Sequence, residues 1–425
     1  MEEDSKLGTR NPKKEVKVIN KIKNKFFNKS YKKIENKVLI SNEIISKSNN
    51  KNDTIKMTKT RNPGVDTARL IAMYSVVFFH YFFFGRAYEV FPHYKRQLSF
   101  VNAFTNWHNN CFIIISGIVG YKTNKYSNLI YLWLTVCFYT VGINKYANYF
   151  IKGIISREPI YKLYYPIIFN RYWFITSYFG MYLFLPVINK GIAGLTKYEF
   201  RLVIITTLFL FIFWNEYKNP NEDIFHAHHG SSITFFLTLY LTGAYFGKYN
   251  VDYKGIKKYI YCIFCLGLFS LISYIFFKTF NNDYYYRIGK YIIKLPPSFT
   301  RMINNKSYSL VKPLQALLIC LFFMQINYNE YIAKIITFFG PLAFGIYLIH
   351  MDGGVKNFIY DNDRVLYHYP RNISFNSLIS SLALKSLKVC LLCLIIDYLR
   401  HLLFSILQLK KIFIFVETKM KEKLS

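Results

Sequence analysis

Apolar runs constrain this chain more tightly than any other feature. LFLFIFW (208–214), YIYCIFCLGLFSLISYIFF (259–277) and LKVCLLCLIIDYL (387–399) are too long and too numerous to share one water-facing core, so the bilayer is the solvent they fit. A hydrocarbon layer about 30 Å thick takes roughly 20 mostly apolar residues per helix. Ten windows meet or approach that length: 63–84, 104–121, 128–149, 171–188, 201–215, 232–248, 256–278, 311–327, 334–350 and 378–407. The second, fifth and eighth are short or weak. The expected fold is all-α, a polytopic membrane helix bundle of about ten transmembrane helices, with the lipid bilayer as a partner.

Charge sorts the remainder. Lys and Arg number 55 against 23 Asp and Glu, a formal net charge of +32. On a soluble chain that balance suggests nucleic acid, but here the cations avoid the long apolar runs, and no nucleic-acid partner is expected. Residues 1–61 hold 17 Lys or Arg and 7 Asp or Glu with little apolar surface, which predicts a basic, disordered tail without a cleavable signal. Beside the first span, such a tail predicts a cytosolic N-terminus and attraction to anionic headgroups. Residues 62–408 form the expected membrane domain, and 409–425, ending in a KMKEK run, a short basic tail on the same side. The sequence leaves the oligomeric state open.

The seven Cys lie in or near apolar runs, and the pairs Cys262/Cys265 and Cys390/Cys393 have CxxC spacing without flanking His ligands. They read as small packing residues, and no metal site is expected.

The first window, NPGVDTARLIAMYSVVFFHYFFFG, carries Asp66, Arg69 and His80 where an anchoring helix needs no ionisable group. Asn62 suits the N-cap and Pro63 the first helical position, which puts Asp66 in the first turn at the positive end of the helix dipole. Asp66 and Arg69 are i,i+3 neighbours. From Arg69 to His80 is eleven residues, three turns plus about 20°, so the two share one face about 16 Å apart along the axis. Singly, Arg69 reads equally as a snorkelling residue and His80 as an interfacial anchor. A common azimuth with Asp66 is not something snorkelling requires. An imidazole in apolar surroundings is available as a neutral base for deprotonating a hydroxyl, and a guanidinium half a membrane away suits the anionic part of a second substrate.

Arg69 followed after ten residues by His80 resembles the R-x10-H motif of the membrane-bound acyltransferase 3 family. NCFIIISGIVGY (110–121), RYWFITSYFGMYLFLPVIN (171–189) and FGIYLIH (344–350) are similar to its Ser-Gly, Trp-Phe and late Tyr-Leu-Ile-His segments. HHGSSITFFLTLYLTGAYFGKY (228–249) and SYSLVKPLQALLICLFF (307–323) resemble its polysaccharide O-acetyltransferase branch. The resemblance implies an O-acetyltransferase with about ten core helices. Its donor would be acetyl-CoA or another acyl-CoA from the cytosol, its acceptor a carbohydrate hydroxyl across the membrane, and no cofactor would be bound permanently. His80 would be the catalytic base and Arg69 would position the donor. Asp66, Ser116, Trp173, His229 and His350 would contribute to substrate binding. Where many members carry an Arg-rich stretch after Ser-Gly, this chain offers Lys122 and Lys125. The membrane would be the plasma membrane in a bacterium and one of the secretory pathway in a eukaryote. The alternative is a transporter or lipid or glycan translocator without transferase activity, though no internal repeat of the kind common in transporters is found.

Overall fold

Asn62 starts the first helix as its residue type predicts. Its side-chain oxygen accepts from the amides of Gly64 (2.8 Å) and Val65 (3.4 Å), and Pro63 opens helix α1, Pro63–Phe83. The computed structural model describes residues 61–123, 125–150, 159–214, 230–249, 252–280, 285–288, 291–294, 311–361 and 366–424. After α1 come α2 (Lys95–Thr105), α3 (His108–Gly120), α4 (Ser127–Phe150), α5 (Trp173–Gly194) and α6 (Lys197–Leu208), which runs into a wider turn at Phe209–Trp214. Then follow α7 (Ile233–Lys248), α8 (Gly255–Phe280), a strand pair, α9 (Val311–Gln325), α10 (Glu330–Phe339), α11 (Ala343–His350), α12 (Phe375–Ile406) and α13 (Leu409–Leu424).

Helix occupies every predicted window, and the chain is a membrane helix bundle. Among the described residues three stretches are long and apolar enough to cross a bilayer: Gly255–Lys278, Glu330–His350 and Phe375–Ile406. Val311–Gln325 is apolar but shorter. α1 has the length, but its apolar run is diluted by Asp66, Arg69 and His80. A departure from helix is the antiparallel pair β1 (Tyr285–Ile288) and β2 (Tyr291–Lys294), in register Tyr285↔Lys294 and Ile288↔Tyr291. The strands are rich in Tyr and Ile, residue types that suit a pleated ladder.

The surface is apolar and the interior carries the charge. Val187, Ile256, Ile263, Leu384, Leu399 and Ile406 are exposed, whereas Asp66, His80, His350, Asp352, Asp397 and Arg400 are buried. Water favours the opposite arrangement; lipid favours this one.

α1 is the hub, touching α2, α3, α9, α10, α11 and α12. The most extensive helix pair is α3 with α7, and its cause is small residues. Gly117 lies against the Tyr240 carbonyl, Gly243 against that of Ile114 and Gly247 against that of Ile118, so backbone meets backbone along the seam. All seven Cys are free and all but Cys262 are buried; Cys111 of α3 and Cys320 of α9 stand with sulfurs 3.4 Å apart.

α13 docks on α4 through Glu417, which accepts from the amides of Tyr126 (3.2 Å) and Ser127 (2.8 Å) and pairs with Lys421 at 2.7 Å. Partial burial pushes the Glu417 carboxyl up, but the Lys421 ammonium and the Ser127 groups outweigh it and hold it at about 2.

Two outcomes follow from this packing. Gly117→Leu drives a side chain into the Tyr240 backbone and lowers bundle stability by about 1–3 kcal/mol, read as a lower melting temperature in detergent. Because the folded Glu417 carboxyl titrates below its usual value of 4.5, its contribution to docking is complete above that pH and fades as pH falls toward about 2. A spin-label distance between α4 and α13 that stays fixed across this window would contradict that assignment.

Candidate active site

α1 delivers three polar side chains to the interior. Asp66 is 1% exposed and bonds both Arg61, with Nη2 at 2.8 Å, and Arg69. Lipid offers a carboxylate no counter-charge, so two guanidinium groups supply it. Room for the group comes from Gly340, in the turn between α10 and α11, where any Cβ would fall on the Asp66 carboxylate.

Arg69 opens into a cavity of about 210 Å³ lined by Met73, Val76, Asn109, Ser116, Tyr178 and Tyr347 among others. Arg69, Ser116, Leu132 and Tyr178 also border a second cavity, of about 320 Å³, that reaches Thr123 and Asn128. Ser116 donates to Phe112 carbonyl (2.8 Å) and to the Tyr178 hydroxyl (3.3 Å), so it forms part of the wall beside Arg69. The stripe Arg69, Met73, Val76 faces the first cavity, and His80 is the next residue at helical spacing.

His80 packs on His350 of α11, with Nδ1 3.2 Å from His350 Nε2. His350 is 0% exposed, and its Nδ1 bonds the Ile346 carbonyl. Phe84 covers His80 at 4.9 Å between ring centroids, and Tyr360 stands edge-on at 5.8 Å. Beyond Phe84 lies a third cavity, of about 190 Å³, lined by Phe83, Phe84, Arg86, Lys356 and Asn357. The histidine pair thus stands between the Arg69 cavities and an opening on the other side. Neither histidine lines any of these three cavities: Val76 and Tyr347 close the first one turn short of the pair. The buried Tyr347 hydroxyl has no hydrogen-bond partner among the described residues. The same holds for Nε2 of His108, whose ring lies 5.4 Å from that of Phe79.

Against this geometry, a family model described as an acyltransferase domain matches residues 62–396. The chain belongs to the acyltransferase 3 family. No curated protein and no solved structure matches it. Family membership supports a membrane acyltransferase in general terms, and the matched span contains Asp66, Arg69, His80, Ser116, Tyr347 and His350 but not Arg61, Asp397 or Arg400.

The structure brings together Asp66 with Arg69, Arg69 with Ser116, and His80 with His350. It does not bring Trp173 to the cavities described here; that ring packs in an aromatic cluster with Phe174 (5.7 Å) and Phe236 (6.4 Å). His229 lies outside the described residues. Among the described residues no group of three His, Cys, Asp or Glu side chains could hold a metal ion.

Several residues around the site carry no local sequence signal. Asp352, two residues after His350, accepts from Arg171 Nη2 (2.8 Å) and the Tyr172 hydroxyl (3.3 Å), which ties the end of α11 to the start of α5. Asp397 of α12 accepts from Tyr139 (2.6 Å) and Arg400 Nε (2.9 Å) and lies against Gly345 of α11. Two buried carboxylates therefore brace the helix that carries His350.

Gly340→Ala is expected to displace the Asp66 carboxylate from its guanidinium partners and destabilise the bundle by about 1–3 kcal/mol. Gly353→Ala, where nothing stands within 4 Å of the added carbon, serves as the control. Equal melting temperatures for the two variants would show that Asp66 does not depend on that space.

Proposed function

We propose that this protein is a membrane-bound O-acyltransferase that moves an acetyl or other acyl group from cytosolic acyl-CoA to a carbohydrate hydroxyl on the opposite side of the membrane. The observation that carries the reading is the buried His80–His350 pair standing between an Arg69-lined cavity and a separate opening beyond Phe84. Two substrates approaching from two sides require that layout.

The donor would enter by the second cavity, with its phosphates toward Thr123 and Asn128, and Lys122 and Lys125, neighbours of Thr123 in the sequence, would be the cations to meet them. Arg69 and Ser116 would hold the pantetheine. The acyl end would reach His80 once Val76 and Tyr347 make way. The acceptor hydroxyl would give its proton to the His80 imidazole as its oxygen bonds the thioester carbonyl carbon. The carbon–sulfur bond then breaks, and the departing thiolate takes the proton back from the imidazolium, leaving ester, CoA thiol and neutral histidine. Tyr347, which lines the first cavity, would offer its hydroxyl to the oxyanion once that side chain turns toward the thioester. No permanently bound cofactor enters this scheme. The cytosolic placement of both termini, about ten spans and a carbohydrate acceptor of the polysaccharide kind belong to the same proposal.

The test uses the full chain in nanodiscs with acetyl-CoA, following release of the CoA thiol, together with ester-linked acetyl on surface glycans of expressing cells. His80→Ala is expected to lose about 10²–10⁴ in rate, the usual worth of a general base, and Arg69→Ala to raise the KM for acetyl-CoA. Parental rates in both variants at equal expression would remove His80 and Arg69 from the mechanism; no CoA release by the parent, with solute uptake that depends on Arg69, would reject the enzyme in favour of transport.

A further inference from the structure

We infer that His350 is a positioning residue that fixes which nitrogen of His80 is basic, so that proton abstraction runs through His80 Nε2.

The inference starts at a backbone carbonyl. The Ile346 oxygen accepts only, so His350 Nδ1 must carry a proton to bond it. Because Ile346 lies four residues back on the same helix, α11 itself orients the ring. His350 is fully buried and no carboxylate bonds it among the described residues, so a second proton on that ring would be an uncompensated charge. Its Nε2 is therefore an acceptor. His80 Nδ1 stands 3.2 Å away, a hydrogen-bond separation that requires one proton between the two nitrogens, and that proton belongs to His80. With Nδ1 protonated, neutral His80 keeps its lone pair on Nε2, which makes no hydrogen bond among the described residues. The order is Ile346 carbonyl, His350 Nδ1–H, His350 Nε2, His80 Nδ1–H, free His80 Nε2.

Asp352 and Asp397 hold this chain in place by bracing α11 from two sides, and neither touches an imidazole. A neutral histidine thus fills the orienting position that a carboxylate often fills beside a catalytic imidazole. In a low-dielectric interior this orients the base without burying an unpaired negative charge when His80 is neutral. When the acceptor hydroxyl gives its proton to Nε2, the Nδ1–H of the resulting imidazolium still faces the His350 lone pair.

The role rests on the acyltransferase reading, and the experiment keeps the two apart. Full-length protein labelled with ¹⁵N-histidine in nanodiscs is compared as parent, His350→Leu and His350→Gln, with the His80 resonances assigned by their loss in His80→Gln. The parent is expected to show the Nδ1–H tautomer at His80. His350→Leu removes the acceptor and should shift His80 toward the Nε2–H form, lowering kcat for acetyl-CoA turnover at least tenfold with its KM little changed. His350→Gln supplies a side-chain oxygen to accept from Nδ1–H; it should restore the tautomer and recover at least tenfold over the Leu variant. It also guards against misfolding, since both variants must elute as the parent does.

An Nε2–H tautomer in the parent, or equal turnover in the Leu and Gln variants, would overturn the inference. If the parent itself released no CoA thiol, the enzyme reading would fall instead, and parental turnover in His80→Gln would remove His80 as the base. The tautomer measurement needs no turnover and would still decide the ring arrangement.

Discussion

Every charge inside this bundle must find its partner inside this bundle. Lipid tails supply neither a counter-ion nor a hydrogen bond, and an isolated buried carboxylate costs several kcal/mol even after relaxation. The Asp66, Asp352 and Asp397 carboxylates accordingly each hold a guanidinium: those of Arg61 and Arg69, of Arg171, and of Arg400. These pairs decide which helices lie side by side. Asp352 brings the end of α11 to α5, and Asp397 joins α12 to α4 through Tyr139. At Gly340 and Gly345 the missing side chain is the space the carboxylate occupies. Hydrophobic burial cannot set such specific neighbours, because the surroundings are as apolar as the core.

Seen this way, α1 differs from the stretches that cross the bilayer on hydropathy alone. Its interior face carries Asp66, Arg69 and His80, and six helices surround it. Two of its polar groups are met by helices distant in sequence. Asp66 is accommodated by the α10–α11 turn and His80 by His350 at the end of α11, so one short segment, 340–350, answers both ends of the stripe.

Much of the frame was legible in the sequence because hydropathy is a local property. The ten windows, the Asn62 cap and the shared face of Arg69 and His80 need only nearest neighbours and helical geometry. What was not legible depends on pairing across the chain. Arg61 read as the last residue of a basic tail, yet it shares Asp66 with Arg69. His350 was named by its resemblance to a family segment, but its contact with His80 spans 270 residues, and no spacing rule reports that. Tyr347, Gly340 and Asp352 have meaning only once the helices are packed. Trp173 is the converse case: its motif was recognisable, and its ring packs in an aromatic cluster that no local pattern reports. The β1–β2 pair was not legible because its strands, YYRI and YIIK, are four residues each and show no alternation of apolar and polar residues.

The Cys111 and Cys320 thiols have a further consequence. They sit on α3 and α9, two of the helices clasping α1, with sulfurs 3.4 Å apart. A disulfide bond length is about 2.05 Å, so a modest approach separates two free thiols from a covalent strap around the polar helix. Their burial keeps charged oxidants away, and only an uncharged reagent dissolved in the hydrocarbon would reach them. The native chain thus already contains the means to freeze its central element without an engineered residue.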